Sequence, residues 1–181
     1  MTIKSFIMKK IVFITGLTIV TIFGCKSISS SNTKKLTIPL ESKSQSTATG
    51  IVTFEEKKGV VTFEAKLSGL KPGIHAIHIH EKSDCSAADG SSAGGHWNPT
   101  YKKHGKWGEG EYHKGDIGNF TADENGNGTI TLTTDEWCIG CGDQTKDILG
   151  KGLIVHANPD DFETQPTGNA GGRVACGGII K

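Results

Sequence analysis

Residues 73–81, Gly-Ile-His-Ala-Ile-His-Ile-His-Glu, form the strand-like run from which the rest of the sequence can be interpreted. Side chains two residues apart in a β-strand share a face, so His78 and His80 point the same way. The isoleucines that alternate with them then face the opposite side, which predicts a core. His75 has the parity of the isoleucines, and we expect it to be a structural, hydrogen-bonded residue. His78 and His80 are therefore candidate metal ligands.

Short β-like runs of this kind recur along the chain, and turn signals such as Glu-Asn-Gly-Asn-Gly at 124–128 separate them. Pro39 interrupts the first run and suggests an edge strand. No amphipathic helix longer than a turn or two is evident. Antiparallel strands of this length predict an all-β sandwich or barrel of about eight strands. The predicted strands are 36–40, 50–55, 60–67, 73–81, 119–123, 129–133, 153–156 and 178–180.

Two segments, 83–118 and 158–172, are long, rich in glycine and polar. Loops of this length within a compact domain are usually functional or disordered. The first contains three histidines, which favours an ordered metal-binding loop over a disordered one.

All seven histidines lie in about half of the chain, between His75 and His156. Imidazole suits zinc and copper alike. Three loop histidines and a carboxylate could complete a tetrahedral zinc site, and His156 ends a strand from which it can reach the face of His78 and His80. Two four-ligand sites need eight positions and seven groups are available, so one group bridges two metals or one site stays open. The loop ligands are His96, His104, His113 and Asp116.

The N-terminal segment 1–24 has lysines before an apolar run from Ile11 to Phe23, the pattern of an export signal. A retained anchor helix is the alternative, although thirteen residues are few for a membrane span. Ile22-Phe23-Gly24-Cys25 resembles a bacterial lipobox, with Phe23 bulkier than usual, which predicts lipid modification at Cys25. We therefore expect a signal peptide at 1–24, a flexible tether at 25–35 and one folded domain at 36–181.

The cysteine count supports lipidation at Cys25, and removal of the predicted signal peptide changes the net charge. Loss of residues 1–24 removes three lysines and no acids, so the net charge changes from +1 to −2. Nothing indicates nucleic-acid binding through bulk charge. Five cysteines are an odd number for an exported chain, and lipidation of Cys25 leaves four.

Several separate motifs resemble, in order, those of the copper/zinc superoxide dismutase family, over roughly residues 50–181. The resemblance implies a Greek-key β-sandwich or flattened barrel with two long functional loops, and the dismutation of superoxide to oxygen and hydrogen peroxide. Whether the chain is a monomer or a homodimer stays open. The motifs are His-Ile-His-Glu at 78–81, Ser-Ala-Gly-Gly-His-Trp-Asn-Pro at 92–99, Lys-His-Gly at 103–105, His-Lys-Gly-Asp-Ile-Gly-Asn at 113–119 and Gly-Asn-Ala-Gly-Gly-Arg-Val-Ala-Cys-Gly at 168–177.

The same resemblance implies the roles of individual residues. It makes His96 the bridging and catalytic histidine, Arg173 the catalytic arginine beside the copper, and Asp160 an outer carboxylate that orients a copper ligand and a zinc ligand. For Asp160 the alternative is a solvated loop acid. Copper would be held by His78, His80, His96 and His156, and zinc by His96, His104, His113 and Asp116.

The four remaining cysteines form two predicted pairs. The resemblance implies a disulfide between Cys85 and Cys176. Cys138-Ile139-Gly140-Cys141 is not a feature of the family, and a Cys-x-x-Cys pair could be a tight disulfide, a redox pair or a soft metal site. We expect a local disulfide.

A second class of function would be a membrane-tethered copper or zinc binder with the same fold and no turnover. Such domains tend to lose copper ligands or the arginine beside the copper, and this sequence retains the copper ligands and Arg173. A zinc hydrolase lacks support because no His-Glu-x-x-His motif is present.

The signal-like segment and the lipobox-like residues predict the location. We expect an exported, cell-envelope or periplasmic enzyme, held to the membrane through a lipid at Cys25.

Overall fold

The computed structural model describes Thr2 and residues 33–181. The predicted signal peptide apart from Thr2, the lipidation site Cys25 and the predicted tether up to residue 32 lie outside the described residues. Within the described part of the chain, no helix has both the length and the hydropathy required to cross a membrane.

Eight antiparallel strands close into a barrel with the order β1-β2-β3-β6-β5-β4-β7-β8. The neighbours β3 and β6, and likewise β4 and β7, are not consecutive in the chain, so the barrel has the crossovers of a Greek key rather than a simple meander. The prediction of an all-β barrel of about eight strands is confirmed. The strands are β1 (Lys34–Ser42), β2 (Thr49–Lys57), β3 (Val60–Ser68), β4 (Gly73–His80), β5 (Gly118–Ala122), β6 (Gly128–Thr134), β7 (Gly152–His156) and β8 (Arg173–Gly178).

Alternation of apolar and polar residues explains the inner face of the barrel. In β2 and β3, Phe54 lies opposite Phe63, and both side chains are fully buried. Trp137, which follows β6, packs its ring 6.1 Å from that of Phe54 and 6.2 Å from that of Phe63. Ile77 and Ile79 of β4 are fully buried in the same core, as their parity predicts.

The bounds of the first and last strands differ from the predicted ones. β1 begins at Lys34, so the last two residues of the predicted tether belong to the sheet, where Lys34 and Lys35 pair with acidic residues of β2. The last strand is Arg173–Gly178 rather than 178–180, because Cys176 pairs with both β1 and β7. Ile180, the apolar residue that suggested the later strand, is 63% exposed.

The first strand is also not an edge in the strand order, because β1 pairs with β8 to close the barrel. That pairing involves only Glu41 and Ser42 of β1, so β8 does not pair with Pro39. A proline without a backbone N–H to donate is therefore accommodated inside a closed barrel.

The outer face of β4 is where the barrel positions the candidate site. β4 lies between β5 and β7, and every residue from His75 to His80 is buried, on the outside as well as the inside. The long connection 81–117 leads from β4 to β5, and the connection 157–172 leads from β7 to β8. The register of β7 and β8 shifts between Val155 and His156, which places His156 opposite Arg173.

Candidate metal centre

Four buried histidines form the first group, which we call the all-histidine group. Their ligand atoms all lie within 4.8 Å of one another. β4 supplies two of them, and β7 supplies the third at its last residue. The fourth comes from the long loop, which His96 joins to β4 through a bridge with His80. The members are His78, His80, His96 and His156.

Three histidines and an aspartate form the second group, which we call the carboxylate group. Its ligand atoms also lie within 4.8 Å of one another, and all four residues are buried. The long loop alone supplies them, and Asp116 orders that loop by accepting backbone N–H groups from His113 at 2.8 Å and Gly105 at 3.2 Å. The members are His96, His104, His113 and Asp116, so His96 is common to both groups.

The unpartnered ring nitrogens indicate what these groups can bind. Among the described residues, six buried imidazole nitrogens of the two groups have no hydrogen-bond partner. A buried polar atom without a partner is costly, and here each such atom belongs to a group of converging ligands, so the donor set fits two transition-metal cations. These atoms are Nδ1 of His78, Nε2 of His80, Nε2 of His96, Nε2 of His156, and Nδ1 of His104 and His113.

The opposite ring nitrogens are held by carbonyl oxygens. His80 Nδ1 donates to Gly94 O at 2.9 Å, His156 Nδ1 donates to Gly171 O at 3.2 Å, and His113 Nε2 donates to Lys102 O at 3.1 Å. Because a carbonyl can only accept, these bonds place the ring proton on the outer nitrogen. The inner nitrogen is then free for a metal, which is the usual arrangement of histidine ligands.

Asp160 connects the two groups from outside. Its Oδ2 accepts from His78 Nε2 at 2.8 Å and its Oδ1 accepts from His104 Nε2 at 2.9 Å. Asp160 is 3% exposed, whereas the neighbouring Asp161 is exposed and accepts from Thr164. The buried position is incompatible with a solvated loop acid at residue 160.

Glycine is required where the second long loop passes this carboxylate. Gly168 has φ +69°, and a Cβ atom placed on it would collide with the Asp160 carboxylate and lie 2.5 Å from His104 Nε2. Where the connection 157–172 covers Asp160 and His104, only a residue without a side chain therefore fits.

The two groups differ in their electrostatics. Burial, with a smaller effect of His78, lowers the pKa of His156 to about 3. Burial also lowers the pKa of His96 to about 4, although Asp116 opposes the shift, and it lowers the pKa of His80. These three imidazoles are neutral at pH 7, which is the form that binds metals.

The carboxylate group favours charge instead. Burial alone would raise the pKa of Asp116, but the imidazoles of His104, His113 and His96 beside it hold that pKa well below its usual range. Burial would lower the pKa of His104, yet Asp116 and Asp160 raise it to about 9. A cation that binds here near neutral pH must therefore displace a proton from His104.

Arg173 lies beside the all-histidine group without belonging to it. Its Nη1 donates to Gly90 O at 2.8 Å and its Nη2 donates to Gly94 O at 2.7 Å. Gly94 O also accepts from His80 Nδ1, so one carbonyl holds both the arginine and a member of the group. The guanidinium is half-buried and always charged.

The described residues contain two disulfides, as predicted. Cys85–Cys176 spans 91 residues and ties the long loop to β8, whereas Cys138–Cys141 spans only three. The chain-entropy model gives the first about 5 kcal/mol of stabilisation and the second about 2 kcal/mol. The long-range disulfide is therefore the one that helps to hold the loop of the carboxylate group.

His75 is buried and lies outside both groups, with its ring nitrogens 2.9 Å from His156 O and 2.7 Å from Lys71 O. These contacts confirm the prediction of a structural, hydrogen-bonded histidine.

The structure also shows two supporting residues that sequence reasoning missed. Asn119 exchanges two hydrogen bonds with the backbone of Asp160, and Gln165 does the same with the backbone of His104. Asn119 falls inside a motif that the sequence makes visible, but nothing marks Gln165.

A closed antiparallel barrel with two buried ligand groups that share one imidazole defines a class of metal-binding β-proteins. Residues 48–179 match the copper/zinc superoxide dismutase (SODC) family, and the chain belongs to that family. The chain is also similar to a solved structure described as that of the clock protein EA4, with 35% sequence identity and a TM-score of 0.70. That similarity covers 81% of this chain and 94% of the other.

Proposed function

We propose that this protein is an active superoxide dismutase, which converts two superoxide anions and two protons into oxygen and hydrogen peroxide. The observation that carries the proposal is His96, whose Nδ1 lies 2.8 Å from Asp116 in the carboxylate group. Its Nε2, which has no partner among the described residues, belongs with the all-histidine group. One imidazole can thus serve two different cations.

The ligand chemistry assigns one metal to each group. Copper, which suits imidazole nitrogen, would be held by the four histidines of the all-histidine group. Zinc would be held by the carboxylate group, whose three imidazoles and one carboxylate match a tetrahedral site. When bound, copper supplies the one-electron redox chemistry, and zinc, which has no redox chemistry, supplies positive charge.

Arg173 would bind and orient the substrate anion. Two of its five N–H donors are engaged by Gly90 O and Gly94 O, which fixes the plane of the guanidinium. The donors that remain can bind a small anion next to the all-histidine group. A permanent positive charge at this point also raises the rate of encounter with superoxide, because it attracts the anion as it diffuses toward the site.

His96 would deliver a proton to the product. Its Nε2 is the atom that can accept a proton during the cycle, while its Nδ1 stays directed at the carboxylate group. Hydrogen peroxide needs protons as it forms, and a proton held at Nε2 is next to the place where the product leaves.

Asp160 would hold the imidazoles of His78 and His104 in a fixed orientation during turnover. Because it accepts from His78 Nε2 and His104 Nε2, it fixes the tautomers of one histidine in each group. Neither ring can then rotate without breaking a buried charge-assisted hydrogen bond.

Activity of the copper- and zinc-loaded protein tests the proposal. We expect rapid decay of superoxide in a spectrophotometric assay, and loss of that activity in a His156→Ala variant that keeps its zinc. Equal rates for the wild type and His156→Ala would contradict the proposal and would favour a domain that binds metal without turnover.

We further propose export to the cell envelope, with a lipid anchor at Cys25. The signal-like segment 1–24 and the lipobox-like residues before Cys25 support it. Two disulfides in the described domain also fit an oxidising compartment. We expect acyl chains in the intact mass of the mature protein and release from the membrane fraction on Cys25→Ala. An unmodified, soluble wild-type protein would contradict the anchor.

A further inference from the structure

The Cys138–Cys141 pair, which the proposed dismutase chemistry does not use, lies in the connection between β6 and β7. Its two sulfur-bearing residues differ in accessibility. Cys138 is 7% exposed, whereas Cys141 is an exposed residue. Thiol–disulfide exchange needs access for the attacking thiolate to one sulfur, and the structure leaves that access at Cys141.

The loop does not depend on this disulfide for its position on the barrel. The Lys34 ammonium donates to Ile139 O at 2.7 Å, and Ile139 N donates to Glu56 Oε2 at 2.8 Å. Ile139 itself is buried in the core. These contacts anchor the segment between the cysteines to β1 and β2.

The far side of the loop is held equally well. Asp147 accepts backbone N–H groups from Gly140 at 2.8 Å, from Gly142 at 2.9 Å and from Leu149 at 3.1 Å. Cys138 exchanges backbone hydrogen bonds with the 146–148 segment. The three-residue cross-link contributes about 2 kcal/mol in the chain-entropy model, less than half of the contribution of the long-range disulfide.

Charges of both signs lie near the pair. Besides Lys34, the Lys181 ammonium lies 3.4 Å from the position that a Cβ on Gly140 would take, between the two cysteines. Carboxylate charge is also close, because an Asp147 oxygen lies within 4.8 Å of both sulfurs and Glu56 binds Lys34. Negative charge raises the pKa of a thiol and positive charge lowers it, so the Lys181 ammonium offsets Asp147, and the exposure of Cys141 is the feature that favours exchange.

We propose that Cys138–Cys141 is a thiol–disulfide exchange site for a thiol reductant. A thiolate attacks Cys141 Sγ, a mixed disulfide forms at Cys141, and Cys138 leaves as the thiolate and takes up a proton. A second thiol then attacks the reductant's sulfur in the mixed disulfide and releases Cys141. Two electrons pass from the two reductant thiols, which end as a disulfide, to the pair, which ends as two thiols.

Rates of reduction in the native, metal-loaded protein test the proposal, with Cys85–Cys176 as the internal control because Cys176 is fully buried and Cys85 is half-buried. One arm uses dithiothreitol and the other uses glutathione, followed by alkylation and peptide mass spectrometry. We expect the Cys138–Cys141 pair to open at least about tenfold faster than Cys85–Cys176, with unchanged metal content. Reaction in only one arm identifies a dithiol or a monothiol reductant; failure of both arms to open the pair first overturns the proposal.

Two sets of variants separate exchange from a structural role. We expect Lys181→Gln to slow the opening about threefold, whereas Lys35→Gln, at an exposed position of β1, leaves it unchanged. The double variant Cys138→Ser/Cys141→Ser should fold and keep its dismutase activity within about twofold. Equal rates in the two lysine variants, or failure of the double variant to fold, would contradict an exchange site.

Discussion

The all-histidine group and the carboxylate group share His96 but are built differently. Strands β4 and β7 provide three ligands of the first group, so the barrel fixes them before any metal binds. The second group takes all its ligands from the 81–117 connection. Its side chains depend on one buried carboxylate, Asp116, for their arrangement. The comparison indicates that the barrel preorganises the all-histidine group, the proposed copper site, whereas charge organises the carboxylate group, the proposed zinc site.

Removal of Asp116 should have the largest effect. Asp116→Ala leaves the buried His96 Nδ1 and two backbone N–H groups without their acceptor and removes the carboxylate beside His104 and His113. We expect a loss of about 3 kcal/mol in the free energy of unfolding. Zinc content, measured by elemental analysis, should fall to near zero. Asp161→Ala is the matched control, because Asp161 is exposed, and it should change neither quantity. A zinc-replete Asp116→Ala protein would contradict the dependence on charge.

Removal of His156 should affect the all-histidine group and leave the carboxylate group intact. We expect His156→Ala to lose copper and at least about a hundredfold in activity, equivalent to about 3 kcal/mol of transition-state stabilisation. Because β4 and the loop remain in place, zinc content should persist. Thermal unfolding and metal analysis of the same preparation check both results, and loss of zinc together with copper would show that the groups are not independent.

Asp160→Asn should weaken one of the two groups, since an amide can accept from only one of its two atoms. Asp160 now accepts from His78 and His104 through separate oxygens. We expect a 10- to 100-fold decrease in affinity for the metal on the side that loses its acceptor, in the usual range for outer-shell carboxylates. Competition with chelators of known affinity measures it. Unchanged affinities for both metals would contradict the role of Asp160.

The pH dependence of metal binding should also differ between the groups. The pKa of His104 is raised to about 9 in the metal-free fold. Its protonation therefore stabilises that fold fully at pH values below the pKa of His104 in the unfolded chain, and this contribution is lost as the pH rises through about 9. Zinc must displace this proton, so zinc affinity should fall by about tenfold per pH unit as the pH decreases from 8 to 7.

In the all-histidine group His156 and His96, with pKa values of about 3 and 4, are already neutral in this range. Copper affinity should therefore change little between pH 8 and pH 7. Titration calorimetry in buffers of different ionisation enthalpy counts the protons released. Equal proton release by the two metals would remove the electrostatic distinction between the groups.

Arg173→Ala should have the smallest effect. The guanidinium touches carbonyls and no ligand atom of the group, so metal content should not change. We expect about a tenfold loss of activity, or about 1.4 kcal/mol, with weaker salt dependence of the rate. Arg173→Lys should restore part of the rate because it restores the charge. Full activity in Arg173→Ala would contradict a role in positioning the anion.

The sequence predicts the strands well because the alternation of side chains between the two faces of a strand, and the turn residues, act over a few positions. The runs in β1 to β7 are visible in the sequence, and His78, His80 and Ile77 have the faces that their spacing predicts. The last strand is misplaced because Ile180 looks as strand-like as Val174. Only the pairing of Cys176 with two other strands distinguishes them, and such non-local pairing leaves no local signal.

The metal groups show the same division. Spacing places two histidines on one face, but the meeting of β4 with β7 and the path of the long loop decide which other histidines join them. The family resemblance supplied that assignment. Contacts through backbone carbonyls, such as Gly94 O with both His80 and Arg173, are invisible in any side-chain pattern.

The most direct test of the shared imidazole is a crystal structure of the protein loaded with copper and zinc. We predict two cations, with the His96 Nδ1 and Nε2 atoms each at about 2.0–2.1 Å from a different one. A metal-replete crystal with a single cation, or with the His96 ring turned away from one group, would contradict the account.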